Sequence, residues 1–238
     1  MYILFLMVLI AFMLATTIIT ALRKKKRKDV VGAEKKKSKR YYRMMAWMWG
    51  PAVVVIAASL IGGISLADLG IRAMSFEYNI WFTIITLTIC GFIFAFSLRT
   101  IVLSLVSTKF KEKIKSEVAG NDLASDILPR TKKEKCLYVL LSFSSGICEE
   151  LIYRGFMAFL LQAVFPEIPI FLIVLIPSVL FGIGHFYQGW RGVVETGVVG
   201  AIFMCLFLVT GSLIPVMVLH FILNASDAFL LSEEMGIE

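Results

Sequence analysis

The sequence predicts an all-α integral membrane protein, a polytopic bundle of about seven transmembrane helices with a central polar cavity. Three observations predict it. The mean hydropathy is +0.86, and 59% of the 238 residues are hydrophobic. Only 17% are charged, where a soluble domain carries about a quarter. Apolar runs long enough to cross a bilayer recur along the whole chain, and the weak alternation of a membrane barrel is missing.

The apolar runs fall at about 1–22, 44–66, 79–106, 136–164, 169–187, 193–211 and 213–231. A helix needs about 20 apolar residues for a hydrocarbon core of ~30 Å, so the longest runs must tilt, kink or enter the interface. No basic residue precedes the first run and no convincing small-x-small site follows it. It therefore reads as a retained anchor, not a signal peptide.

Residues 23–43 hold 12 of the 24 basic residues, in RKKKRKD, KKKSKR and Arg43. So dense a cluster beside a membrane helix belongs in the cytoplasm and is suited to anionic headgroups. The polar segment 107–135, with eight basic and five acidic residues, reads as cytoplasmic too. The connector 67–78 and the FPEIP turn at 165–169 are poor in basic residues and read as outside. The alternation places the N-terminus outside and the C-terminus in the cytoplasm. The chain divides into an anchor with its basic loop (1–43) and a membrane bundle (44–238). With half of the charge explained by topology, nucleic acid is not an expected partner. Cys90, Cys136, Cys148 and Cys205 lack CxxC spacing, so they read as structural thiols.

Few ionisable or strongly polar groups stay inside the spans, and charges there are costly, by roughly 2.5–3.5 kcal/mol each, so they are functional candidates. They are Glu149, Glu150 and Arg154 in the fourth span, His185 near the end of the fifth, and His220 and Asn224 in the seventh, followed by Asp227. These are the protein's two histidines. Glu150 and Arg154 are i and i+4, so they share a helix face and can pair. Glu149 points about 100° away and is free to face another helix. His220 and Asn224 are also i and i+4, as are Phe181 and His185. Three polar stripes, none suited to lipid, should face one interior. Asp227, Glu195 and Arg99 read as interfacial, and Gly182 and Gly184 as close-packing positions.

A carboxylate and an imidazole can share a water and take its proton. A second imidazole and an amide NH₂ can donate to an oxyanion. The inventory matches water attack on a carbonyl, as in amide hydrolysis. Cys148 abuts Glu149, but activation of water needs no thiol.

Three motifs carry a resemblance. EExxxR appears as Glu149-Glu150-Leu151-Ile152-Tyr153-Arg154, followed by Gly155; FxxxH as Phe181 to His185; HxxxN as His220 to Asn224. Their order and separations resemble the CAAX prenyl protease and bacteriocin-processing (Abi) family of intramembrane proteases, over a core at about 136–228. The resemblance implies an intramembrane endopeptidase. Glu149 would activate water, His185 would assist it, and His220 and Asn224 would stabilise the oxyanion. Glu150 and Arg154 would support them. Peptide or membrane-protein substrates are implied, in bacteriocin or peptide processing, self-immunity or CAAX-type C-terminal processing. No cofactor is expected. Zinc on Glu149, His185 and His220 is the alternative, disfavoured because Asn224 is a poor zinc ligand and a good donor. Lys-rich loops suit a bacterial cytoplasmic membrane. A non-proteolytic scaffold retaining the motif is the second reading, and a proton-coupled transporter the third.

Overall fold

The computed structural model describes residues 1–26, 35–110, 112–113 and 127–229. The central part of the basic loop, most of the second polar segment and the last nine residues lie outside the described residues. Every regular element of the described chain is helical, and the described residues contain no strand. The helices are α1 (Tyr2–Lys26), α2 (Lys35–Ile61), α3 (Ile80–Val106), α4 (Lys132–Glu150), α5 (Met157–Val164), α6 (Ile170–Gly184), α7 (Trp190–Thr210) and α8 (Leu213–Ser226). A π-helical turn, Leu151–Phe156, joins α4 to α5.

Four helices are long and apolar enough to cross a membrane: Lys37–Ile61, Ile80–Val106, Lys132–Val164 and Trp190–Thr210. Three shorter apolar helices, Tyr2–Ala15, Ile170–Gly184 and Leu213–Phe229, complete the set. The protein is a polytopic helical membrane protein.

The element ends differ from the sequence expectation in ways the local chemistry explains. The basic segment 23–43 is helical at both of its ends, since α1 runs to Lys26 and α2 begins at Lys35. Lys and Arg are good helix formers, so a membrane helix continues into a basic flank. The fourth span begins earlier than the apolar run, because Thr131 and Glu134 form a capping box. The fifth span, α6, stops at Gly184, which leaves His185 as its C-cap. The seventh span, α8, gives way after Ser226 to a single 3₁₀ turn, Asp227–Phe229.

α3 is inverted relative to a soluble helix. Its buried positions are Thr83, Thr86, Cys90, Ser97, Thr100 and Ser104, while Trp81 and Phe92 are 69% and 73% exposed. With lipid as solvent, apolar groups gain nothing by turning inward, and small residues let helices approach. The hydroxyls of Thr83, Ser97 and Thr100 donate to carbonyls one turn back, which keeps them satisfied.

The apolar core brings Leu6 and Leu9 of α1 and Ala52 and Val55 of α2 against Leu151, Met157 and Leu160. α6 and α7 pack closely at Gly182. A Cβ there would lie 2.5 Å from the Val193 carbonyl oxygen and 3.2 Å from the Gly197 Cα.

Polar segments pair at the two ends of the bundle. At one end the Tyr41 hydroxyl donates to the Ile127 carbonyl (2.6 Å), and Lys37 Nζ to that of Leu128 (3.0 Å). At the other, Arg72 Nε donates to the Gly211 carbonyl (2.8 Å), and the Ser212 hydroxyl to that of Arg72 (2.6 Å). The connector 62–79 is thus latched onto the turn between α7 and α8, where Gly211 adopts φ +61°. In the same connector, hydrogen bonds from the Ser65 hydroxyl and backbone N–H hold the Asp68 carboxyl below the ordinary range.

Candidate active site

The site forms where α4 and α8 run antiparallel in contact. Gly146 makes the approach possible: a Cβ there would sit 3.0 Å from the Met217 carbonyl oxygen and 3.2 Å from the Phe221 nitrogen. Two cross-helix contacts follow, one turn apart. Asn224 Nδ2 donates to Ser145 Oγ at 2.9 Å. Glu149 Oε2 lies 3.7 Å from His220 Nε2. Residues 145 and 149 are one turn apart on α4, and 224 and 220 one turn apart on α8. The four side chains therefore form a ladder between the helices.

Behind the ladder is a fully buried ion pair. Glu150 is 0% exposed and Arg154 1%. Glu150 Oε1 accepts from Arg154 Nη1 at 2.9 Å and bonds His220 Nδ1 at 2.6 Å. An ionised carboxylate only accepts, so Nδ1 of His220 carries the proton. That leaves Nε2 facing Glu149. Arg154 is held by three further groups: the Gly200 carbonyl, which accepts from Nη2 at 3.1 Å, and the rings of Phe181 and Phe203, whose centroids lie 4.6 and 5.6 Å from its Cζ. Glu150 Oε2 has no hydrogen-bond partner among the described residues.

The π turn sits inside the EExxxR motif. The Met157 N–H bonds the Ile152 carbonyl, five residues back, where a regular helix bonds four back. The wider turn re-aims α5 relative to α4. Gly155 fits against the connector there, since a Cβ would come 2.7 Å from the Leu69 carbonyl oxygen.

His185 arrives from the end of α6. Its Nδ1 lies 2.8 Å from the Phe181 carbonyl oxygen. A carbonyl accepts only, so Nδ1 donates and Nε2 is left for other partners. The Phe181 ring lies 4.6 Å from the His185 ring and 6.3 Å from the His220 ring, centroid to centroid, and so stands against both imidazoles. Tyr153 packs edge-on to the same ring at 5.0 Å.

The structure thus brings Glu149, Glu150, Arg154, His220 and Asn224 together across α4, the π turn that follows it and α8, with His185 joined to them through Phe181. Glu149 keeps 17% of its side chain exposed, whereas its neighbour Glu150 is sealed. Adjacent carboxylates therefore occupy different environments, one open to a small molecule and one not. Cys148 faces the other way, into the apolar core with Leu151 and Leu160. Glu195 pairs with Arg191 on an exposed face (2.6 Å). Among the described residues, no group of three from His, Cys, Asp and Glu converges as a metal-ligand set. A cavity of about 210 Å³ lies at the connector end, lined by Asp68, Arg72 and Gln162 among others. None of the candidate catalytic residues lines it.

Two features of the site leave little signal in the sequence. Ser145 lies four residues before Glu149, on the same helix face, and that spacing is its one sequence signal. The Gly200 carbonyl that receives Arg154 has no signal beyond a glycine in an apolar helix.

Residues 132–226 match the model of the Rce1-like family, described as type II CAAX prenyl endopeptidase Rce1-like. The matched stretch contains all three motifs, so the resemblance to the CAAX proteases rests on the whole segment that builds the site. No curated protein and no solved structure matches the chain.

Proposed function

We propose that this membrane protein of the CAAX-endopeptidase type hydrolyses a peptide bond at or near the membrane, with Glu149 as the general base. One observation carries the reading. Within the family-matched segment, His220 is anchored through Nδ1 by a buried Glu150–Arg154 pair while its Nε2 faces the more exposed Glu149.

The steps follow from the inventory. A water held between Glu149 and the free Nε2 of His185 gives its proton to the Glu149 carboxylate as its oxygen attacks the peptide carbonyl carbon. The carbonyl π bond becomes an oxyanion, which gathers an N–H of Asn224 and Nε2–H of His220. Because Nδ1–H of His220 is spent on Glu150, donation from Nε2 requires the doubly protonated ring. Collapse of the oxyanion breaks the C–N bond, and the leaving amine takes the proton from Glu149. No step needs a metal. Glu150 and Arg154 act through His220, as positioning residues.

The substrate is a peptide or membrane-protein segment that enters from the cytoplasmic end, where His185 caps its helix, or laterally. CAAX-type C-terminal processing and bacteriocin or peptide processing are both compatible with the site. The chain sits with its N-terminus outside and C-terminus in the cytoplasm, its 23–43 segment against anionic lipid, in a bacterial membrane.

The test compares new protein termini in membranes of cells carrying wild type or Glu149→Gln at matched expression. Termini that disappear in the variant support the peptidase and name its substrates. Identical termini, with Glu149→Gln still rescuing a deletion phenotype, would establish a non-proteolytic scaffold in its place.

A further inference from the structure

We infer that Ser145 is a positioning residue that fixes the orientation of the Asn224 amide and so decides which of its faces meets the reaction centre. The inference rests on the endopeptidase reading for its functional half and on hydrogen-bond accounting for its structural half.

Ser145 is buried on α4, and its hydroxyl donates to the Ser142 carbonyl at 3.0 Å. A hydroxyl has one proton. With that proton committed, Oγ can only accept from Asn224. The group 2.9 Å away must therefore be Nδ2. The alternative amide orientation would set Oδ1 against the lone pairs of Oγ, two acceptors with no proton between them, and is disfavoured.

The consequence lies one turn along the ladder. Nδ2 carries two hydrogens, and Ser145 takes one of them. The second stays on the nitrogen side of the amide, available to a developing oxyanion beside His220. Were the amide reversed, Oδ1 would face that charge and repel it. A donor aimed before the reaction starts needs no reorganisation during it. Gly146, next to Ser145, allows the helix approach that brings Oγ within reach of Asn224. Ser-x-x-x-Glu on α4 thus faces His-x-x-x-Asn on α8, rung for rung.

The experiment has a readout that does not depend on catalysis. The chain has three asparagines, Asn79, Asn121 and Asn224. Full-length protein labelled with ¹⁵N-asparagine, in detergent micelles, should therefore give three side-chain NH₂ pairs, that of Asn224 assigned by its loss in Asn224→Asp. In Ser145→Ala the Asn224 pair should move and lose its protection from hydrogen exchange. In Ser145→Thr, which keeps the hydroxyl, both should return. Ser144→Ala, a neighbouring buried serine that bonds Trp49 instead, should leave the pair unchanged.

The same proteins are then assayed on a farnesylated, internally quenched peptide ending in a CAAX sequence. Ser145→Ala should lower kcat about tenfold, the scale of one misdirected hydrogen bond, with KM within about twofold. Ser145→Thr should restore kcat. Unchanged Asn224 signals in Ser145→Ala overturn the inference. So does an equal loss of kcat in Ser144→Ala, which would mark a general packing defect. A moved amide with unchanged kcat overturns the catalytic half alone. Should wild type not cleave the peptide while its Asn224 signals respond to Ser145→Ala, the choice of substrate or the endopeptidase reading fails, and the orientation of the amide by Ser145 stands.

Discussion

His220 and Glu150 are 70 residues apart in the chain and 2.6 Å apart in the fold, joined Nδ1 to Oε1. Glu150 is in turn paired with Arg154 one helical turn on, so the imidazole is fastened to a charge that is itself compensated. The second glutamate of the motif thereby orients a residue of another helix, while the first is left to meet a small molecule.

That division separates the two carboxylates by experiment. Glu149→Gln should reduce peptide cleavage by about 10²–10⁴-fold, the usual contribution of a general base. Its thermal unfolding in detergent should match wild type, because the Glu150 anchor of His220 is untouched. A parallel loss of stability and activity would assign Glu149 a structural role.

Glu150→Ala should behave in the opposite sense. It leaves the Arg154 guanidinium buried without its carboxylate, at a cost of about 3–5 kcal/mol. The double variant Glu150→Gln/Arg154→Met should recover much of that stability, since both charges go together. It should not recover cleavage, because His220 has lost its anchor. Unfolding midpoints and peptide cleavage of the single and double variants check both statements.

Gly182→Ala should loosen the α6–α7 contact. Its Cβ would fall 2.5 Å from the Val193 carbonyl oxygen, which is backbone and can yield only if the helices part. A destabilisation of about 1–3 kcal/mol is expected from such overpacking. Cleavage should fall with it, since Phe181 and His185 ride on the same helix end. The adjacent test is Gly184→Ala, whose Cβ would meet only the Tyr153 hydroxyl, at 3.2 Å, and which should be milder.

Treatment with EDTA or 1,10-phenanthroline should change the rate by less than about twofold, because the proposed steps use no metal and a zinc enzyme would lose its nucleophile on chelation. Loss of activity, restored by added zinc, would replace the glutamate mechanism with a metal-dependent one on Glu149, His185 and His220.

The membrane class and the candidate residues were legible in the sequence because both rest on local quantities. Hydropathy over a run of about 20 residues decides whether a helix can span, and an ionisable group inside such a run is costly wherever the helix finally packs. The pairing of Glu150 with Arg154 was legible for the same reason, since i,i+4 geometry needs nothing beyond one helix. The π turn at Leu151–Phe156 was not legible, because it forms within the EExxxR motif and leaves the apolar pattern unbroken. Nor were the partners of the site: Glu150 for His220, Ser145 for Asn224 and the Gly200 carbonyl for Arg154 all come from other helices. The sequence by itself determined which side chains could not face lipid. Only the tertiary structure decided which of them meet, because the α4–α8 register depends on close contacts such as that at Gly146, and contact across helices leaves no period in the chain.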